Sequence, residues 1–362
     1  MQVFIKYRNY KKIHPIYQSL LSNPPEGIKY TIPGIKTNLG KAYKIYNKFR
    51  QYKLVSYFGK RAQDYLFRPS ESKYLDYDVV HLVDQLPSNY EKASYILDIG
   101  AINSLVGFTK IEKMDAEKIK QFFLHATCKA ILVRSIATEK MIAEFCKAYL
   151  SSPETRVVLR KINLVYPAAP IIDIASKEKP TNIIRVLFIG NGIYKKGLHE
   201  TIAAYRKLKK SGYSVSLTVV ANDFDQLSVK YLSKDINFHK AVYSKQEIVE
   251  KFFSTHDVFV MPSHYEIFGM VYLDAYSAGM PCIGINQYST PEIIIDGQTG
   301  YIIESRRRPL DESWNFDSFD DRKLKTPEKC VVDELYKKLK SYCENRSVML
   351  AHGKGGRALV KS

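Results

Sequence analysis

Long apolar runs are missing from this chain. No window approaches the roughly 18 uninterrupted apolar residues that cross a bilayer, and the opening MQVFIKYRNYKK has no apolar leader core. The protein is therefore expected to stay in the cytosol. Cysteine is also scarce: Cys128, Cys146, Cys282, Cys330 and Cys343 are far apart, odd in number and never in C-x-x-C spacing. That pattern suggests neither a disulfide framework nor a zinc site, and the thiols are expected to be reduced. Tryptophan occurs once, as Trp314, and there is no solenoid-length repeat or low-complexity tract. Acidic residues are almost absent from residues 1–70, where 14 Lys and Arg face only Glu26 and Asp64, so this segment holds +12 of the chain's net +18.

The 362 residues, 45% hydrophobic and 25% charged, suffice for two soluble globular domains, each with its own core. The +12 segment calls for an acidic partner. Within it, residues 41–66 read as a basic, tyrosine-rich helix with an apolar stripe through Ile45, Phe49, Tyr52, Val55, Ala62 and Tyr65. The stripe is expected to pack on the N-terminal sheet. The lysines suit an anionic cytoplasmic leaflet, which attracts about 1 kcal/mol per basic residue near it. Nucleic acid ranks lower as a partner, because no recognised RNA- or DNA-binding motif accompanies the charge.

The second half alternates strands (185–190, 215–222, 236–242, 257–261, 281–285) with helices (199–210, 226–233, 245–254, 270–278). Such βα repetition predicts a parallel sheet covered on both faces, with ligands beyond the carboxyl ends of its strands. The first half is less regular. Strands are expected at 2–6, 28–32, 79–83, 95–99, 130–133 and 156–159, and helices at 15–22, 41–66, 115–127 and 137–150. Pro167, Pro170 and Pro180, among Lys177, Glu178 and Lys179, mark a linker. The expected division is a first α/β domain at 1–168, a linker at 169–182 and a second α/β domain at 183–362. The last carries a surface loop at 304–330, whose Asp317, Asp320 and Asp321 read as a solvated acidic loop, and a final helix near 335–350.

The most informative stretch is 261–283, MPSHYEIFGMVYLDAYSAGMPCI. A buried strand ends at Met261, Pro262 and Ser263 stop it, and Gly269 turns the backbone into a helix starting near Met270. Unpaired N–H donors and about half a positive charge at that helix start would hold a diphosphate across Phe268, Gly269 and Met270 without a metal. A diphosphate held there also calls for a cation. Lys196, in the K-K-G turn after the 185–190 strand, is the first candidate, Lys195 the second, and Gly197 allows close approach.

The run E-I-F-G-M-V-Y-L-D-A-Y-S-A-G-M-P resembles the signature of the family 4 retaining glycosyltransferases, two glutamates separated by seven residues, then an alanine-rich helix and Gly-x-Pro. Glu266, Asp274, Gly279 and Pro281 fall on those places, with aspartate replacing the second glutamate. The resemblance extends to G-N-G-I-Y-K-K-G at 190–197 and P-E-I-I-I-D-G-Q-T-G at 291–300. It therefore spans nearly all of the second half and is much weaker in the first, where VFIKYRNYKKIHP lacks the glycine-rich turn of many members. It implies a GT-B fold: two doubly wound, Rossmann-like α/β domains facing a central cleft.

The resemblance assigns Glu266 to the transferred sugar and Asp274 to the ribose hydroxyls. The two are too far apart, roughly 12 Å along a helix, to act on one atom. With Glu266 and Lys196 as the catalytic pair, the expected donor-binding set is Gly190, Asn191, Gly192, Lys195, Gly197, Val242, Phe268, Gly269, Met270, Val271 and Asp274. Asn191 replaces a common arginine and removes a bidentate phosphate contact. The shorter Asp274 implies a donor shifted toward the helix or held more weakly. Val242 lies near the place of the base, and His264 is a weaker phosphate candidate. In the first domain, the segment YILDIGAIN offers Asp98, Gly100 and Asn103, to which no acceptor role is assigned. A helix crossing back onto the first domain, usual in the family, is expected to be missing after HGKGGRALVKS.

The implied function is metal-independent, cofactor-free, hexosyltransferase-type transfer with retention, from a UDP- or GDP-sugar to a hydroxyl of a glycan or lipid-linked acceptor. Its setting would be glycolipid, cell-surface polysaccharide or glycan assembly, with the cytoplasmic protein peripheral to the inner face of the membrane. The alternatives are an inactive GT-B scaffold or binding protein, and a sugar-nucleotide epimerase on the same fold.

Overall fold

The computed structural model describes residues 1–7, 15–32, 76–87, 93–106, 111–168, 182–227, 231–307 and 323–361. The expected 41–66 helix, nearly all of the 169–182 linker, Trp314 and the three loop aspartates lie outside the described residues. The chain divides into two compact units, Met1–Val133 with Phe145–Val165, and Arg134–Glu144 with Tyr166–Ser362.

The first unit is built on six parallel strands: β1 (Gln2–Tyr7), β2 (Lys29–Thr31), β3 (Val79–Val83), β4 (Tyr95–Ile99), β5 (Cys128–Val133) and β6 (Ile162–Leu164). Their order is β2-β1-β3-β4-β5-β6, a flavodoxin-like winding that reverses between β1 and β3. Val80, Leu82, Leu97, Ile99 and Ile131 are buried along the inner strands, as a sheet covered on both faces requires. Helices α1 (Pro15–Ser22), α2 (Lys113–Leu124) and α4 (Ser152–Leu159) accompany it, and α3 (Ile136–Tyr149) is divided, its residues up to Glu144 belonging to the second unit. Helix α4 corrects the sequence reading, which placed a strand at 156–159. Valines 157 and 158 favour a strand, but Ser151 and Glu154 form a capping box with Pro153 in the first turn, and this start signal fixes a helix. The strand follows as β6.

The second unit has β7 (Ile184–Ile189), β8 (Val215–Val220), β9 (Ile236–His239), β10 (Val258–Val260), β11 (Cys282–Ile285) and β12 (Gly300–Ile303), all parallel, in the order β12-β11-β10-β7-β8-β9. Its helices are α5 (Leu198–Lys210), α6 (Lys245–Ile248), α7 (Met270–Ser277), α8 (Thr290–Ile293), α9 (Lys329–Glu344) and α10 (Arg346–Leu359). Leu187, Phe188, Leu217, Val219, Phe259 and Ile283 are fully buried at its centre. The winding reverses between β7 and β10, so the turns leaving their carboxyl ends flank the crevice where doubly wound sheets bind ligands. Both units are thus parallel-sheet, Rossmann-like α/β folds.

Three further expectations in this unit are corrected. Where the 226–233 helix was expected to start, Phe224–Gln226 form a 3₁₀ turn and Leu227 is extended, while residues 228–230 lie outside the described residues. β9 stops at His239, short of Val242, because a tight turn closes from Val242 N–H to the Lys240 carbonyl at 2.9 Å. The single 335–350 helix is two helices. Asn345 leaves helical backbone (φ −138°, ψ 87°), and its side chain accepts from Val348 N–H to cap α10.

Candidate functional site

The site is assembled by two turns, one after β7 and one after β10. Each ends in a glycine with left-handed backbone, Gly197 at φ 72° before α5 and Gly269 at φ 81° before α7, and neither helix start has a side-chain capping bond. No other residue fits either position. A Cβ on Gly197 would lie 2.3 Å from the Pro262 carbonyl oxygen, and one on Gly269 would lie 2.6 Å from the Tyr272 ring and 3.1 Å from Glu266 Cγ. The turns are also stitched together. His264 N–H donates to the Lys195 carbonyl at 2.8 Å, and the Gly190 Cα faces Lys196 Cγ and Met261 Sδ. Below them, the Tyr272 hydroxyl donates to the Met261 carbonyl at 2.5 Å.

This scaffold brings Lys196 and Glu266 into direct contact. Lys196 Nζ donates to Glu266 Oε2 at 2.6 Å and to the Tyr265 carbonyl at 3.3 Å, with side chains 22% and 12% exposed. The acidic loop holding Glu266 is pinned by Ser263 Oγ donating to the Tyr265 carbonyl (2.8 Å) and Ser289 Oγ donating to the Glu266 carbonyl (3.2 Å). A cation, a carboxylate and two uncapped helix starts of eight residues or more therefore meet at the switch point. Such a group can bind an anion and stabilise charge that develops beside it.

The remaining candidates fall into place less uniformly. Phe268 is buried, and Met270 and Val271, half-buried, open α7. Asn191 is exposed, and its Oδ1 accepts from Asn222 N–H at 2.7 Å, tying the turn to the end of β8. The Gly192 N–H is already taken: Asp223 Oδ2 accepts from it at 2.8 Å and from Ile193 N–H at 3.3 Å. Val242 lies on the connection after β9 and is 78% exposed. Asp274, on α7, pairs with Lys245, whose Nζ is 2.9 Å from its Oδ1. Burial raises the Asp274 carboxyl above its ordinary range, outweighing the opposing pull of Lys245.

His264 is fully buried rather than facing the crevice, with Nε2 3.1 Å from Glu200 Oε1. His199 Nδ1 lies 2.9 Å from the other Glu200 oxygen. Burial pushes the Glu200 carboxyl up, but the His264 bond and the nearby His199 imidazole outweigh it and hold it at about 2. In the first unit, Asp98 is buried and accepts from the Tyr17 hydroxyl (3.1 Å) beside His81 Nε2 (3.0 Å). Gly100 N–H donates to Asp84 Oδ1 at 2.8 Å, and Asn103 is buried. Sequence reasoning missed Asp223, Glu200 and Lys245. Each is a polar residue in or beside a connection, where no periodicity or short motif marks it. Among the described residues, no group of three His, Cys, Asp or Glu is arranged to hold a metal, and no helix is long and apolar enough to cross a membrane.

Residues 171–318 match the family model described as Glycosyl transferases group 1. The capsular polysaccharide biosynthesis glycosyltransferase CapM of Staphylococcus aureus is 29% identical over 122 residues, which cover 32% of each chain. The chain spans about a third of the length of such curated relatives. Among solved structures, a glycosyltransferase from Rickettsia africae superimposes with a TM-score of 0.61 at 13% identity, covering 99% of this chain and 93% of its own. HepE from Anabaena, solved with UDP and glucose, gives 0.57 at 12% identity, covering 100% and 95%. At such identities the likeness establishes the fold alone: the chain has the architecture of GT-B glycosyltransferases, and the group 1 match falls on the unit that holds the Lys196–Glu266 pair.

Proposed function

We propose that this protein is a retaining, metal-independent glycosyltransferase of family 4 type that moves a hexose-type sugar from a UDP- or GDP-sugar to an acceptor hydroxyl. The observation that carries the reading is the 2.6 Å contact of Lys196 with Glu266 between two uncapped, glycine-started helices. The donor diphosphate lies over the starts of α5 and α7. Lys196 exchanges its carboxylate partner for the phosphate oxygens, and Glu266, released toward the sugar, holds a hydroxyl and faces the positive charge that develops at the anomeric carbon. The bond from that carbon to the diphosphate oxygen breaks with its electron pair leaving on the diphosphate. A bond to the acceptor oxygen forms, and the acceptor's proton leaves with the diphosphate. UDP and glucose in HepE support a UDP-sugar as donor.

The acceptor is a glycan or a lipid-linked glycan at the cytoplasmic membrane face, a reading supported by the +12 of residues 1–70 and by the capsular polysaccharide role in CapM's name. The test is release of nucleoside diphosphate from UDP- and GDP-sugars by the purified protein, with acceptor glycans present. Release from one donor that falls at least a hundredfold in Glu266→Gln supports the reading. Donor binding without release, or release unaffected by Glu266→Gln, replaces it with a non-catalytic binding protein or a different catalytic residue.

A further inference from the structure

The carboxylate at position 274 has a partner from another element. Lys245 opens α6, on the connection that carries the chain from β9 across to β10, while Asp274 lies on α7 beyond β10. Their side chains meet at 2.9 Å over the side of the sheet where the donor is read to bind. The backbone beneath Lys245 is fixed before any ligand arrives. Ser244 N–H donates to Glu247 Oε2 at 2.9 Å, and Ser244 Oγ accepts from Glu247 N–H at 3.3 Å. The ammonium side chain is 41% exposed and the carboxylate side chain 18%, so a ligand can approach the pair from the lysine's side. Such a part-exposed ion pair contributes little by itself and is readily exchanged for a better set of partners.

The chemistry of the pair is that of a diol site. A carboxylate offers only acceptors and an ammonium only donors, whereas each hydroxyl of a vicinal diol both donates and accepts. A ribose edge set between them satisfies both groups at once. We propose that Lys245 and Asp274 together form the ribose clamp of this site, with a sugar hydroxyl donating to Asp274 and accepting from Lys245. The lysine supplies the reach that aspartate, one methylene shorter than glutamate, lacks. Val242, three residues earlier on the same connection and 78% exposed, leaves an uncovered apolar surface for the base. The inference rests on the donor reading above and extends it to a specificity-determining residue.

The experiment is calorimetric titration of the full chain with UDP, GDP and their 2′-deoxy and 3′-deoxy counterparts. The ribose form of the accepted base is expected to bind about tenfold tighter than at least one deoxy form, the scale of one charge-assisted hydrogen bond. Lys245→Met, which keeps the aliphatic stem, shrinks that ratio to within about twofold, and Lys245→Arg restores most of it. Lys196→Ala weakens all forms alike and leaves the ratio standing. A ratio unchanged in Lys245→Met overturns the clamp while leaving the donor reading intact. Failure of the parent protein to bind either nucleotide overturns both.

Discussion

Gly197 shows how much a single position can fix. Its φ of 72° lies in the region that side chains resist, and a Cβ there would sit 2.3 Å from the Pro262 carbonyl oxygen, part of the backbone and unable to step aside. Replacement by alanine forces the Lys195–Gly197 turn away from the acidic loop. Gly197→Ala is therefore expected to lose about 2–4 kcal/mol of unfolding free energy in urea titrations, and a loss below about 0.5 kcal/mol would show that the two turns are not in contact. Gly197, Lys196, Glu266 and Gly269 were legible in the sequence because short motifs set them at the ends of strands. Asp223 was not, since a carboxylate that binds two backbone N–H groups from a neighbouring turn leaves no local mark. Lys245 was hidden for the same reason. Its partner is 29 residues away on another helix.

Glu200 does for elements what Gly197 does for one turn. It sits in the first turn of α5, binds His264 of the loop after β10 at 3.1 Å, and accepts from Glu328 N–H at the start of α9 at 3.2 Å. One buried carboxylate thus joins three elements around the site. Its carboxyl is held at about 2 against an ordinary 4.5, so on acidification the unfolded chain takes up the proton first. The stabilisation is complete above about pH 4.5 and lost as pH falls toward 2. Glu200→Gln is expected to cost on the order of 3 kcal/mol at pH 7 and to lack this acid-dependent limb when urea midpoints are followed from pH 7 to 2. A variant with the parent's acid limb would assign the limb to other carboxylates. At this scale the sequence was a good guide where βα alternation was strong, as for β7, α5 and α7. It failed where a cap overrode a local preference. Val157 and Val158 suggested a strand, but the Ser151–Glu154 box started a helix, and Asn345 divided what periodicity read as one C-terminal helix.

At the scale of the whole molecule, the two sheet orders were only partly foreseeable. Strand alternation predicts parallel sheets, but the reversals between β1 and β3 and between β7 and β10 depend on long-range pairing that no window of sequence records. The second reversal matters most, because it puts the K-K-G turn and the acidic turn at one crevice. The group 1 match covers 171–318, while superposition with GT-B structures reaches 99–100% of the chain, so the likeness of fold takes in the first unit as well. The central claim is that this crevice holds a nucleoside diphosphate by helix starts and Lys196 with no metal. The most direct measurement is calorimetric titration of UDP and GDP into the parent protein and Lys196→Ala, each with and without EDTA. Binding of one nucleotide that is indifferent to EDTA and at least tenfold weaker in Lys196→Ala is the predicted result; binding of neither, or binding abolished by EDTA, would contradict it.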